Sequence, residues 1–221
     1  MKHNGFEYVD LGLPSGTKWA TCNVGADKET DYGLYFAWGE TVGYSRITSM
    51  KQFCWEDYKF SKCCSNKFTK YNGTDRKNVL DLKDDAVQVN MGGKWHIPTK
   101  EQIKELMSNT ESTWVSNYNG SGVNGILLTS KSDTSKKLFL PASGFLGNGC
   151  STYASCFVFL LSSSVFSFDD CYSTAFGFNL DAVSVVKCHR AFGFCIRGVF
   201  NTFWINNCSV NYNNLKVGVV H

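Results

Sequence analysis

An α+β fold is the class this 221-residue chain predicts, on three features. Both segments with helical periodicity fall between Leu80 and Thr110. Brief apolar runs cut by Gly- and Pro-containing turns precede them, and longer alternating runs follow. Helices set apart from strands in this way fit an α+β domain rather than the regular alternation of a parallel sheet.

Taken in order, the segment from Tyr8 to Tyr44 alternates short apolar stretches with LPSG, VGA and YG, which reads as short strands and tight turns. Trp19, Tyr35, Phe36 and Trp38 are expected in its core. From Val42 to Lys77 the chain is polar and irregular, and it reads as a long surface loop with a turn at Asn72-Gly73. Leu80 to Met91 predicts a helix, with acidic residues early and Gly92-Gly93 beyond its end. A second, amphipathic helix follows Thr99, a good N-cap, with Glu101 and Gln102 in the first turn and Ile103, Leu106 and Met107 on one face. Gly125 to Lys131 and Lys136 to Ala142 predict a hairpin around Ser132 to Ser135. Short Phe- and Val-rich runs after residue 142 predict several more strands.

Composition excludes some functions. The net charge is +3 with dispersed basic residues, which is no nucleic-acid footprint. The longest apolar run, Cys156 to Leu161, is too short for a membrane helix, and the first ten residues hold no apolar signal region. The ten cysteines include an adjacent pair, Cys63 and Cys64, but no CxxC, so most are expected to be free thiols.

Ala142 to Phe200 stands out. It contains no Trp, Met, Glu, Gln or Pro, and its only Lys is Lys187. Lys, Glu, Gln, Met and Trp together should fill roughly a fifth of a segment. Those five are the residues that codons ending in a pyrimidine cannot encode. The plainer reading is a serine- and aromatic-rich set of strands in an exported protein.

The runs YVDLGLPSGTKWATCNVGA, DYGLYFAWGET, DDAVQVNMGGKWHIPTKEQIKEL, GVNGILLTSK, LFLPASGF, Leu161 to Ser164 and RAFGFCIRGV together resemble a paralogous domain abundant in gut bacteria and their phages. That family has the C-type lectin fold in the form shared with formylglycine-generating enzymes. Many of its members are variable proteins of diversity-generating retroelements, in which a reverse transcriptase copies a template while mutating its adenines. Mutated AAC and AAT codons still end in a pyrimidine, so they exclude the same five residues. The resemblance therefore implies a C-type lectin fold, α+β with two helices, small antiparallel sheets and long loops, over residues 1–200. It implies a variable region at 142–200 and leaves 201–221 as a C-terminal extension. Relatives usually end near the position of the IRGV motif, and they carry Trp where this chain has Leu161. The extension contains Trp204 and Lys216 and so lies outside the codon signature.

By this resemblance the scaffold positions are Gly144, Ser162, Ser163, Ser164, Ala175, Val185, Arg190, Gly193, Ile196 and Arg197. The variable, ligand-facing positions are Phe145, Leu146, Cys150, Tyr153, Phe157, Phe159, Phe166, Phe168, Asp170, Cys171, Tyr172, Gly177, Ser184, Val186, Cys188, His189, Ala191 and Phe192. Lys187 is unreachable from a pyrimidine-ending codon and is expected to be fixed. The resemblance implies a binding protein for a cell-surface protein or glycan, used in adhesion on a phage virion or bacterial surface. No catalytic residue, cofactor, metal, nucleic acid or membrane span is expected.

Two other chemistries compete with this reading. An oxidase like the formylglycine-generating enzymes would need a reactive cysteine pair, for which Cys188 and Cys195 are the nearest residues, with no adjacent base. A calcium-dependent lectin site would draw on Asp169, Asp170 and Asp181, the only acidic residues after Leu140, and a solvated loop tip explains them better. His96 is expected to be structural, and His189 to touch ligand rather than metal. An undiversified structural domain remains a third reading.

Overall fold

The computed structural model describes residues 1–47, 51–62, 68–166, 170–180 and 182–201. Among them lie two α-helices and four antiparallel sheets, an α+β arrangement. The first sheet joins the two ends of the described chain: β1 (Lys2–His3), β2 (Phe6–Val9) and β3 (Thr17–Asn23) are followed in space by β14 (Arg197–Asn201). Val199 pairs with Trp19 and Asn201 with Thr17. Asn201, which the sequence placed at the start of the extension, is thus part of this sheet; residues 202–221 lie outside the described residues.

The second sheet runs β4 (Tyr35–Phe36), β13 (Gly193–Cys195), β8 (Phe145–Gly147), β9 (Cys150–Thr152). The third is β5 (Thr110–Val115), β6 (Gly125–Ser130) and β7 (Lys137–Pro141), in which the expected hairpin is β6 and β7. The fourth is β10 (Val158–Val165), β11 (Tyr172–Phe178) and β12 (Val183–His189).

Helix α2 (Lys100–Asn109) begins where its cap predicts. The Thr99 hydroxyl accepts from Gln102 N, the Gln102 side chain accepts from Thr99 N, and Ile103 and Leu106 are buried. The first helix is shorter than expected. A 3₁₀ turn occupies Leu82–Asp84, and α1 (Ala86–Met91) starts after Asp85, whose carboxylate takes Gln88 N at 2.9 Å and Ile97 N at 2.8 Å. One carboxylate thus caps α1 and ties it to the strand-like entry of α2. His96 is hydrogen-bonded with Lys94 O and Gln102, and its backbone bridges to Val199.

Two cores lie on opposite faces of the β10–β11–β12 sheet, and strand alternation decides which side chain joins which. Val158, Leu160, Phe176 and Phe178 enter an aliphatic core with Trp19, Ile103, Leu106, Ile126 and Leu138. Leu161 and Ala175, paired across the strands, enter an aromatic core, and Phe159, opposite Gly177, packs against it. That core contains Tyr35, Phe36, Trp38, Phe53, Tyr58, Phe60, Phe68, Tyr71 and Trp95.

Five of those aromatics come from 42–77, which corrects the surface-loop expectation. The segment's backbone is irregular, yet Phe53, Tyr58, Phe60, Phe68 and Tyr71 are all at most 6% exposed. They follow no strand or helix period, so no pattern in the sequence marks them as inward. Arg190, fully buried, ties three of them together: it donates to Tyr58 Oη (3.2 Å), Tyr71 O (3.0 Å), Asp170 O (2.7 Å) and Lys70 O (3.1 Å) and lies 4.6 Å from both the Trp38 and Phe68 rings.

The expected scaffold is otherwise buried. Ser162 to Ser164 sit at a register irregularity in β10, which frees their bonds for neighbours. Ser162 Oγ donates to Thr174 O, Ser163 N donates to Pro98 O, and Ser163 O accepts from Leu80 N. They join β10 to the entries of both helices. Leu161 is buried in the aromatic core. Val185 is the exception: it lies on edge strand β12 and is 51% exposed.

Asp84 carries a testable pH dependence. Its side chain is 4% exposed, and burial alone would push its carboxyl up, but hydrogen bonds from Lys59, Lys70 and Tyr71 hold it at about 2, below the ordinary 3.8. A depressed carboxyl stabilises the fold above its unfolded value and loses that contribution as pH falls through the folded one. Wild type should lose on the order of 2 kcal/mol between about pH 4 and pH 2, and Asp84→Asn should lose less over that window in urea titrations. Equal slopes for both proteins would refute the assignment.

Candidate functional site

Half-buried aromatic rings from several separate segments form one continuous band. It starts at Tyr153, 56% exposed, and passes through Phe157 (5.4 Å), Phe159 (5.5 Å), Phe145 (5.9 Å) and Phe192 (5.3 Å, rings 7° from parallel). From Phe192 it continues to His189 at 4.5 Å, which in turn meets Trp55 at 4.2 Å and Tyr172 edge-on at 5.4 Å. Centroid spacings of this size are those of favourable aromatic pairs. Inside the band is a cleft of about 180 Å³ lined by Phe145, Phe159, Tyr172, Lys187, Cys188, His189, Phe192 and Phe194.

Backbone geometry places these rings. Phe145 opens β8 directly after Gly144, whose φ is +60°. A Cβ at Gly144 would lie 2.2 Å from Thr152 O and 2.5 Å from Ala154 N. That close approach seats the loop carrying Tyr153 and Phe157, which is held by Gly144 N to Phe157 O (3.0 Å) and Ser155 N to Ala142 O (2.7 Å). Tyr153 and Ser155 both have positive φ, 58° and 67°, so the loop is bent through angles that side-chain-bearing residues rarely take. Phe159 projects from β10 opposite Gly177, where the absent side chain leaves room for the Phe159 and Val186 side chains. Phe192 lies in the turn between β12 and β13, closed by Phe192 N to His189 O. Gly193 lets Phe53 pack beneath this turn: a Cβ there would meet the Phe53 ring at 2.6 Å.

The cleft is apolar with one full charge. Lys187 Nζ stands 4.5 Å from the Tyr172 ring centre, a cation–π distance, and no ion pair reaches it among the described residues. Cys188 is 4% exposed, and burial pushes its thiol up to about 12. Burial also carries the Cys195 thiol to about 12, against the opposing pull of Ser143 and Tyr35. Reactive thiols have the reverse shift. No group of three or more His, Cys, Asp or Glu side chains suited to a metal ion occurs among the described residues.

Of the expected variable positions, Phe145, Tyr153, Phe157, Phe159, Tyr172, His189 and Phe192 form the band, and Cys188 walls the cleft from within. Cys150 and Ser184 are exposed outside it, and Cys171 and Val186 are half-buried against the aromatic core. Phe166 and Asp170 line a separate depression with Asn78, Lys100 and Glu101. Four positions need correction, because they are buried: Leu146 faces the core from β8, Gly177 lies under Phe159 and Val186, Cys188 points inward, and Ala191 is fully enclosed. Strand alternation turns Leu146 and Cys188 inward, the packed turn at Arg190 encloses Ala191, and Gly177 has no side chain to present. Phe168, Asp169 and Asp181 lie outside the described residues.

Three site residues escaped the sequence reading of the surface. Trp55 sits in the polar stretch assigned to a loop, with no periodicity to mark it. Phe194 alternates as an ordinary core residue. Lys187 was singled out only as a fixed position, and it lines the cleft.

Searches of protein-family models, curated proteins and solved structures return no match to the chain.

Proposed function

We propose that this chain is a ligand-binding protein with a C-type lectin fold, whose contact surface is the aromatic band and whose C-terminal region is diversified by a retroelement. Its partner would be a cell-surface protein or glycan met during phage or bacterial adhesion. The observation that carries the reading is the division of residues 142–200. Gly144, the three serines, Ala175, Arg190, Gly193, Ile196 and Arg197 are buried, with Val185 exposed, while Phe145, Tyr153, Phe157, Phe159, Tyr172, His189 and Phe192 gather as partly exposed rings in one band. Large side chains with few rotatable bonds supply contact area at low entropic cost, as in antibody loops. Among the described residues no helix is long and apolar enough to cross a membrane.

The oxidase alternative has less support. Its two cysteines are buried with raised thiols, which disfavours the thiolate such chemistry requires. The diversification reading is tested in the flanking DNA. We expect a reverse-transcriptase gene and a near-copy of the 142–200 coding region, differing only where the copy has adenine. Differences at other template bases, or no near-copy, would leave an undiversified binding or structural domain.

A further inference from the structure

We infer that the cleft is a socket for one aromatic side chain of a protein partner, with a neighbouring carboxylate of that partner meeting Lys187. The inference rests on the ligand-binding reading above and narrows its partner from protein or glycan to protein.

Size is the first argument. The cleft holds about 180 Å³, and an apolar cavity of about 150 Å³ is enough to take a benzene ring. One six-membered ring fits. The second argument is wall chemistry. Phe145 and Phe192 stack into one wall, Phe159 and Phe194 lie tilted against Phe145, and Tyr172 stands near the His189 end. An incoming ring would find both faces and edges to pack on.

A sugar ring has the right size but the wrong surface. Carboxylate and amide side chains, which bond a sugar hydroxyl pair from two atoms at once, are missing from the lining, where Tyr172, Lys187 and His189 are the polar side chains. Enclosing hydroxyls against apolar walls without partners costs about 1 to 3 kcal/mol each.

Charge supplies the third argument. Lys187 is exposed, on the lining, and paired only with the Tyr172 ring among the described residues. A carboxylate one residue from the anchoring ring would complement it. A partner segment with an aromatic residue next to Asp or Glu meets both requirements.

The test uses the full chain and four probes followed by ligand-observed NMR titration: N-acetyl-Phe-Glu-amide, N-acetyl-Phe-Gln-amide, 3-phenylpropionate and methyl β-galactoside. The Phe-Glu probe should bind with an affinity on the order of millimolar. It should bind about threefold to fivefold tighter than Phe-Gln at low salt, the range of an exposed ion pair. Lys187→Met should bring that ratio to about one. Equal affinity of the two dipeptides for the wild type, or a ratio untouched by Lys187→Met, overturns the carboxylate contact. Galactoside binding without dipeptide binding overturns the protein socket in favour of a glycan site. Binding of 3-phenylpropionate alone overturns it in favour of a small-molecule pocket, and no binding by any probe overturns it outright. Each failure leaves the diversified surface to be judged by the flanking DNA, so the two readings fail separately.

Discussion

Arg190→Met should destabilise the protein by about 3 to 5 kcal/mol, the cost of breaking a buried charged network by removing one member. The guanidinium is fully buried and has no carboxylate among its bonded partners; three backbone carbonyls, at Lys70, Tyr71 and Asp170, and the Tyr58 hydroxyl satisfy it. Methionine fills much of the same volume, so the loss should come from carbonyls stranded without donors rather than from a cavity. Arg190→Lys should fare little better, because a single ammonium cannot span acceptors spread along three segments. Because His189 and Ala191 flank this residue and Asp170 is one of its acceptors, loosening it should also disorder the cleft. Urea denaturation gives the stability change, and the Phe-Glu titration gives the effect on the site. A loss under about 1 kcal/mol would show that the network contributes less than its geometry implies.

Gly144→Ala should cost about 2 to 4 kcal/mol from one methyl group. The residue has φ +60°, and the new Cβ would lie 2.2 Å from the backbone oxygen of Thr152 and 2.7 Å from Tyr153 C. Backbone cannot swing aside as a flexible side chain does, so the 153–157 loop must move or φ must change. Either response pulls Phe157 and Tyr153 out of the aromatic band. In a domain of this size each kcal/mol lowers Tm by about 2 to 4 °C, so the fall should be easily resolved by calorimetry. Gly73→Ala is the control: nothing lies within 4 Å of its added Cβ and its φ is not in the positive region, so its Tm should scarcely change. Similar Tm values for the two variants would mean that the loop adapts without strain.

Local rules made much of the architecture legible. Thr99 and Gln102 cap α2 because their chemistry acts over three residues, and the β6–β7 hairpin follows from alternation around a polar turn. Trp19, Tyr35, Phe36 and Trp38 are in the core, as large apolar residues in a turn-rich segment should be. Local rules failed where a side chain's surroundings come from far along the chain. Tyr58, Phe68 and Tyr71 turn inward on Arg190, and Val185 stays exposed on edge strand β12. Leu146, Gly177, Cys188 and Ala191 are placed at the surface by the family resemblance, a match of residue pattern that carries no information on which way each position faces.

The sequence by itself determined the α+β class, the caps and turns, and the odd residue set of 142–200, because each depends on neighbours within a few positions or on composition alone. Tertiary structure decided which of those residues form a surface. The packing of β10, β11 and β12 between two cores sends alternate side chains to opposite sides, and the close approach at Gly144 folds the loop after β9 back beside β8. Lys187 reaches the cleft across the β11–β12 pairing, beside Tyr172. Trp55 joins the aromatic band through His189, more than a hundred positions away, a separation over which no periodicity in the chain carries information.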